Sequence, residues 1–411
     1  MTKSISLYTT AAALALSACT FTFAQNGSAS AKAGNQPPVE TKEANSPNNT
    51  PAFKGQTRVA GIKTTTPYEG KVLTEELKFP WAITSMPDGR LILTEKAGNL
   101  RIVTQDGKLS EPITGLPEVH HKGQGGLLGI TVDPNFSSNR MVYWTFSEPT
   151  EEGNLTAVAK GKLSADDQKI ENATVIYRAT PYYKGNLHYG GRILFDKQGN
   201  LIVSTGERSD LATRPQAQSL ESGLGKVIRI TTDGKPVAGN PFMKKDDARP
   251  ELYSYGHRNV QGLAFHPVTG DLWENEFGPR GGDELNRIEA GKNYGWPTIT
   301  YGIEYSGKKV GENTQQKPGL EQPVYYWDPS VSPSGMTFYT GNQIPEWKNN
   351  LFIGSLSGMH IARLVLDNNR VIGEERLLAD QMQRFRDVTQ GKDGALYAVT
   401  DQGRLYKISK K

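Results

Sequence analysis

A chain of 411 residues with a net charge of +4 has room for one large domain, and its acids and bases alternate without forming the basic stripe that a nucleic-acid surface needs. The single cysteine, Cys19, excludes any disulfide within the chain. The 44 glycines and 24 prolines favour many turns between short strands over long helices.

Residues 1–18 read as an export signal. Lys3 supplies the basic end, and SLYTTAAALALSA supplies a short apolar stretch that ends in small residues. Leu16-Ser17-Ala18-Cys19 fits the pattern of bacterial lipoproteins, in which the cysteine becomes the lipidated first residue. The alternative is an ordinary secretory signal cut near Ala24. Both place the protein in the periplasm, with an outer-membrane lipid anchor as the expected membrane contact. Residues 19–68 are rich in Asn, Ala, Pro, Thr and Lys and read as a disordered tether. About 45 flexible residues span roughly 35–40 Å.

The remainder, 69–411, carries an internal repeat. Residues 86–103, 195–210, 266–279 and 391–408 share a bend, a glycine turn and a strand, and 133–146 and 340–367 are looser copies. LILTE and LYAVT have the two-residue period of strands. Six such units predict an all-β, six-bladed β-propeller of four-stranded antiparallel blades. Pairing of a strand near Gly70–Leu77 with Leu405–Ile408 is expected to close the ring.

Four clusters are too polar for their apolar flanks. His120-His121-Lys122-Gly123-Gln124-Gly125-Gly126 surrounds a glutamine with glycines, which either admits a ligand close to the backbone or turns the chain before a strand. Asn186-Leu187-His188-Tyr189-Gly190-Gly191-Arg192 places one of six histidines before a strand, as a general base or as a structural group. Tyr253–Pro297 holds the third cluster. There Gly256-His257-Arg258-Asn259 offers donors to an anion or carbonyl, and Gly278-Pro279-Arg280-Gly281-Gly282-Asp283-Glu284 offers carbonyls and carboxylates that suit calcium or a solvated turn. Gln383-Arg384-Phe385-Arg386-Asp387 puts two arginines on one side of a strand, facing a polyanion or water. No zinc pattern, phosphate loop, Gly-x-Ser-x-Gly elbow or CxxC pair occurs, so redox chemistry here requires a bound cofactor.

In this order, GQGGLLG, HYGGR with a following GE, YGHRNVQGLAF, ENEFGPRGGDELN, GKNYGWP and RFRDV resemble the soluble pyrroloquinoline quinone (PQQ)-dependent sugar dehydrogenases, and within them the aldose sugar dehydrogenase branch. The resemblance runs from about Phe79 to the C-terminus. It implies a six-bladed propeller that oxidises aldose sugars at C1 to the lactone, with PQQ and Ca2+ as cofactors and an electron acceptor of unknown identity. It further implies His188 as the catalytic base and Arg258 beside the quinone oxygen. Gln124, Asn259, Tyr305, Arg384 and Arg386 match cofactor contacts, and Trp327 is a candidate to flank the cofactor or the sugar. The main-chain carbonyls of Gly278 and Pro279 match ligands of a calcium that also meets PQQ, and Glu284 and Tyr294 match ligands of a second calcium. One departure stands out. Ser355-Leu356-Ser357-Gly358 replaces the Ser-Leu-Lys segment of glucose-specific relatives, so one cation is lost and weaker PQQ binding is expected. Shorter insertions than in those relatives imply a more open pocket and a broader aldose range. A calcium-dependent lactonase or other hydrolase, and a non-catalytic binding propeller, are the competing readings of the same residues.

The leader makes a direct prediction. The mature N-terminus should be a lipid-modified Cys19, read by mass spectrometry of the exported protein; an unmodified chain beginning after Ala24 would exclude the anchor.

Overall fold

The computed structural model describes residues 1–2 and 36–411; the expected leader and the tether up to residue 35 lie outside the described residues, apart from the first two. Short strands joined by turns pair into six antiparallel sheets, one after another along the chain. The first blade is Pro80–Ser85, Leu91–Glu95 and Asn99–Val103. The second is Leu127–Val132, Met141–Thr150, Gly153–Leu163 and Ile170–Arg178. The third is Gly190–Phe195, Leu201–Thr205, Lys226–Ile230 and Leu252–Tyr255. The fourth is Val260–Phe265, Leu272–Glu276, Asp283–Ile288 and Tyr325–Trp327. The fifth is Pro333–Phe338, Leu351–Ser355, His360–Asp367 and Arg370–Leu377. The sixth is Phe385–Gln390, Leu396–Thr400, Leu405–Lys410 and, from the other end of the domain, Tyr68–Thr74.

Each sequence repeat falls in its own blade, and the six-bladed propeller holds. The first blade departs from the expected four strands. Among the described residues, only isolated bridges, Val103 to Leu109 and Leu100 to Ile113, line its outer edge. Pro112, between them, has no N–H to extend that ladder. The two-residue period of LILTE and LYAVT does not become alternating exposure, because all five residues of each are buried. A second strand of a blade is covered on both faces by its neighbours, as in other doubly covered sheets.

The first strand of each blade packs against the first strand of the next, around a closed ring. Closure comes from the antiparallel pairing of Tyr68–Thr74 with Leu405–Lys410, with Tyr68 opposite Lys410 and Val72 opposite Tyr406, as the sequence leads one to expect. Strand direction alternates within each blade. Loops that lead into the innermost strands therefore emerge on the same face as the turns after the second strands. That face carries the polar clusters.

Residues 36–67 are held against the propeller, contrary to the expected disordered tether. Arg58 donates to the carbonyls of Glu40, Lys42 and Asp328 at 3.1, 2.7 and 2.8 Å. The Asp328 carboxylate accepts from the N–H groups of Asn45 and Ser46 at 2.7 and 2.9 Å. Thr64 donates its N–H and its hydroxyl to Glu375 at 2.7 and 2.6 Å. The segment is poor in large apolar residues, yet its polar groups find fixed partners on the fourth and fifth blades, which offsets the entropy of ordering it. Deleting residues 36–66 should lower the Tm by roughly 5–10 °C, since several buried hydrogen bonds are lost. An unchanged melting curve would show that the strap contributes nothing to stability.

Candidate active site

The loops entering the innermost strands meet around a cleft of about 350 Å³. Of the residues proposed from sequence, Gln124, His188, Tyr305, Arg384 and Arg386 line it. Trp81, Lys96, Gln261, Phe277 and Ser332 complete much of the wall.

His188 lies two residues before the innermost strand of the third blade and has a left-handed backbone, φ +47. Its carbonyl lies against Gly206, where a Cβ would come within 2.2 Å of that oxygen. Glycine is therefore required at 206 for the two segments to touch. Gln124 fixes the histidine from the second blade, its Oε1 accepting the His188 N–H at 2.8 Å. The ring is buried, and Nδ1 lies 2.6 Å from Glu207 Oε1. That contact assigns the proton to Nδ1 and leaves Nε2 as the free nitrogen. Burial, then the charge of Arg258, lower the His188 pKa to about 4, against the opposing pull of Glu207. The imidazole is thus neutral at physiological pH, with a lone pair to offer.

The opposite part of the wall is cationic. Arg384 Nε and Arg386 Nε bond the two oxygens of Asp401 at 2.9 and 2.8 Å. Lys96 stands near them, its Nζ donating to the Gly123 carbonyl at 2.8 Å. Tyr305 is 72% exposed at the cleft's edge, which a ligand-contacting ring at a pocket mouth can be. Beneath, Arg192 Nη1 pairs with Asp387 Oδ2 at 2.7 Å, and its guanidinium lies 4.4 Å from the centre of the Trp81 ring. This buried pair lines the central channel that opens on the other face.

Arg258 and Asn259 are not on the cleft wall. Asn259 is fully buried, and its Oδ1 accepts the Gly190 N–H at 2.9 Å, so it orients the histidine strand. Arg258 is held behind, its carbonyl accepting from Glu207 N–H at 3.0 Å. Its Nη1 donates to the carbonyl of Gly278 at 2.7 Å. Both residues therefore adjoin the His188–Glu207 pair.

The 278–284 loop faces a second cavity, of about 10 Å³, lined by Arg258, Glu276, Gly278, Glu284 and Tyr294 among others. That is the room of one water or one ion. Asp283 anchors the loop: Oδ1 accepts Gly278 N–H at 2.8 Å, and Oδ2 accepts the N–H groups of Val331 and Ser332 at 2.8 and 2.7 Å. Burial raises the Asp283 pKa to about 6 despite these bonds. The Pro279 carbonyl accepts from Ser330 Oγ at 3.3 Å. The Tyr294 hydroxyl donates to Arg287 O at 2.7 Å and accepts Glu289 N–H at 2.9 Å, so any ligand role falls to its main-chain carbonyl. Glu274 and Glu284 have pKa values well above the usual carboxylate range, through burial and then the charge of Glu276. Glu274 Oε2 is buried without a hydrogen-bond partner. Trp327 is not in the cleft. It is buried in the outer strand of the fourth blade, edge-on to Tyr325 at 5.1 Å.

Sequence reasoning did not single out Lys96, Phe277 and Asp401, and it left Glu207 without a role. A signal was present in the repeat. Each of them follows the second strand of its blade within two residues, on the cleft face.

Comparison with known proteins decides the family. The profile described as Glucose / Sorbosone dehydrogenase matches residues 77–407. The chain belongs to this family. The glucose/sorbosone dehydrogenase reading is strengthened by the aldose sugar dehydrogenase YliI of Escherichia coli, 42% identical over an alignment of 344 positions that covers 82% of this chain and 92% of that protein. A crystal structure of a glucose dehydrogenase superposes with a TM-score of 0.80 at 45% identity, covering 84% of this chain and 99% of the other. The PQQ-bound form of the aldose sugar dehydrogenase from Streptomyces coelicolor superposes with a TM-score of 0.69 at 28% identity, covering 84% and 99%. This dehydrogenase is thus an oxidoreductase acting on sugars, and the hydrolase and binding-module readings give way.

Proposed function

We propose that this protein oxidises aldose sugars at C1 to the lactone, with His188 as general base and PQQ as the bound oxidant. The observation that carries the reading is a neutral, buried imidazole, locked by Glu207, in the same cleft as a cationic wall. Arg384 and Arg386 suit the carboxylates of a flat polyanion, because guanidinium–carboxylate bonds are charge-assisted and directional. Gln124 Nε2 and Tyr305 complete the contacts available to the cofactor. When bound, the quinone accepts the hydride that leaves the sugar's C1.

His188 Nε2 takes the proton of the anomeric hydroxyl as that hydride departs. Glu207 holds the ring in the required tautomer and stabilises the imidazolium that forms. Asn259 and Gln124 fix the segment that carries the base, so little reorganisation accompanies the step. Arg258 supplies positive charge behind the base and disfavours its premature protonation. The electrons must then pass to an external acceptor. The exported location, with a lipid anchor at Cys19, belongs to the same proposal.

Calcium fits the loop cavity by the chemistry of its donors. Glu276, Glu284 and the carbonyls around Gly278 are hard oxygen donors, and the buried excess of carboxylates asks for a cation. Glu284 and the Tyr294 carbonyl would hold one ion, and the Gly278 and Pro279 carbonyls, each with a lone pair to spare, would hold another that acts as a Lewis acid on the cofactor.

Four measurements test these roles. His188→Gln should retain PQQ binding and lose about 10²–10⁴ in kcat. A loss below about tenfold, or ~1.4 kcal/mol, would remove the base assignment. In the parent enzyme kcat/KM should stay level through neutral pH and fall on the acid side only as pH drops toward about 4, where His188 protonates. Chelation should lower both the Tm and the activity, because an ion bound only by the folded state stabilises it. In Glu284→Gln the calcium-dependent rise in Tm should shrink; an undiminished rise would place the ion elsewhere.

A further inference from the structure

We propose that Lys96 is a positioning residue for the anionic cofactor, the third cation of the cleft beside Arg384 and Arg386. The inference rests on the PQQ reading above and adds a residue that sequence motifs did not mark. Lys96 occupies the turn after the second strand of the first blade, and its main chain is pinned on both sides. Its N–H donates to Phe79 O at 3.1 Å, and its carbonyl accepts Leu127 N–H at 3.0 Å. A Cβ on Gly126 would fall 2.2 Å from that carbonyl, so the loop bearing Gln124 is seated directly against the lysine.

The ammonium makes one hydrogen bond among the described residues, to Gly123 O, out of the three it can donate. Its surroundings are otherwise poor for a cation. Burial, and then Arg386, push the Lys96 pKa down, while Asp401 alone pulls it up. Asp401 is already shared by both arginines. Three cations against one carboxylate leave an excess of two positive charges on this wall. Such an arrangement is unfavourable without an anion and is relieved by a ligand carrying two or more carboxylates. On the neighbouring fifth blade, Ser332 Oγ meets Ser357 Oγ at 2.8 Å and contributes no charge. The positive charge of the wall therefore lies on the first and sixth blades, which is where a ligand's carboxylates would be drawn.

The test is titration of PQQ into the calcium-loaded, full-length apo-protein, followed by the ligand's absorbance. Lys96→Met should raise the Kd by roughly 10–100-fold, the scale of one charge-assisted bond. It should also flatten the dependence of Kd on salt, because one ion pair is gone. Lys96→Arg should stay within about threefold of the parent, since it keeps the charge. Apo Lys96→Met melting within about 2 °C of the parent would show that the fold is intact. Equal affinity in Lys96→Met overturns the inference, and so does a weakened Kd whose salt dependence is unchanged, since that marks a structural role for the Gly123 contact. If the parent protein itself shows no saturable PQQ binding, the cofactor reading fails first and this one fails with it.

Discussion

The antiparallel pairing of Tyr68–Thr74 with Leu405–Lys410 is the constraint on which the rest depends. Without it the sixth blade lacks its outer strand and the ring has two open edges. With it, six innermost strands are held side by side about one axis, and each begins on the same face. Gln124, His188, Asn259, Ser332 and Arg384 all lie within four residues before the start of such a strand. The closure of the ring thus converts positions far apart in sequence into one small concavity. A propeller also makes those positions rigid, because the strands that carry them are buried on both sides.

Within that frame the electrostatics are divided between neighbouring compartments. The His188 imidazole is kept neutral by burial and by a cation behind it, and a carboxylate fixes its tautomer. The wall facing it has more positive than negative charge. One loop away, the carboxylates of Glu274, Glu276 and Glu284 are gathered, and Glu274 Oε2 is left without a hydrogen-bond partner. Each compartment is unfavourable alone, and each would be relieved by a bound group of opposite sign. Such imbalance is expected at a binding site and is rarely tolerated in a core. The Arg192–Asp387 pair below the cleft is different. It is matched one to one at 2.7 Å, as a structural pair is.

The N-terminal strap adds a second brace. Asp328, which accepts from Asn45 and Ser46, also crowds Gly281, where a Cβ would come within 2.7 Å of its Oδ1. The strap is thereby connected through one carboxylate to the loop that carries Gly278 and Glu284. Composition alone could not reveal this. A segment of Asn, Pro, Thr and Lys is disordered by default, and its order here comes from partners contributed by the fourth and fifth blades.

The residues themselves determined the blade number, the closing pair of strands and most of the polar clusters. Those features are local or periodic: a glycine turn, a two-residue alternation and a repeated unit are written in neighbouring positions. Gln124, His188, Arg384 and Arg386 were legible because their loops are too polar for their flanks. Only the tertiary structure decided that Asn259 and Arg258 stand behind the wall, that Trp327 is core, and that Lys96 and Asp401 belong to the site. Their environments are made by blades distant in sequence, and burial and charge pairing are properties of what surrounds a side chain, which no local pattern encodes.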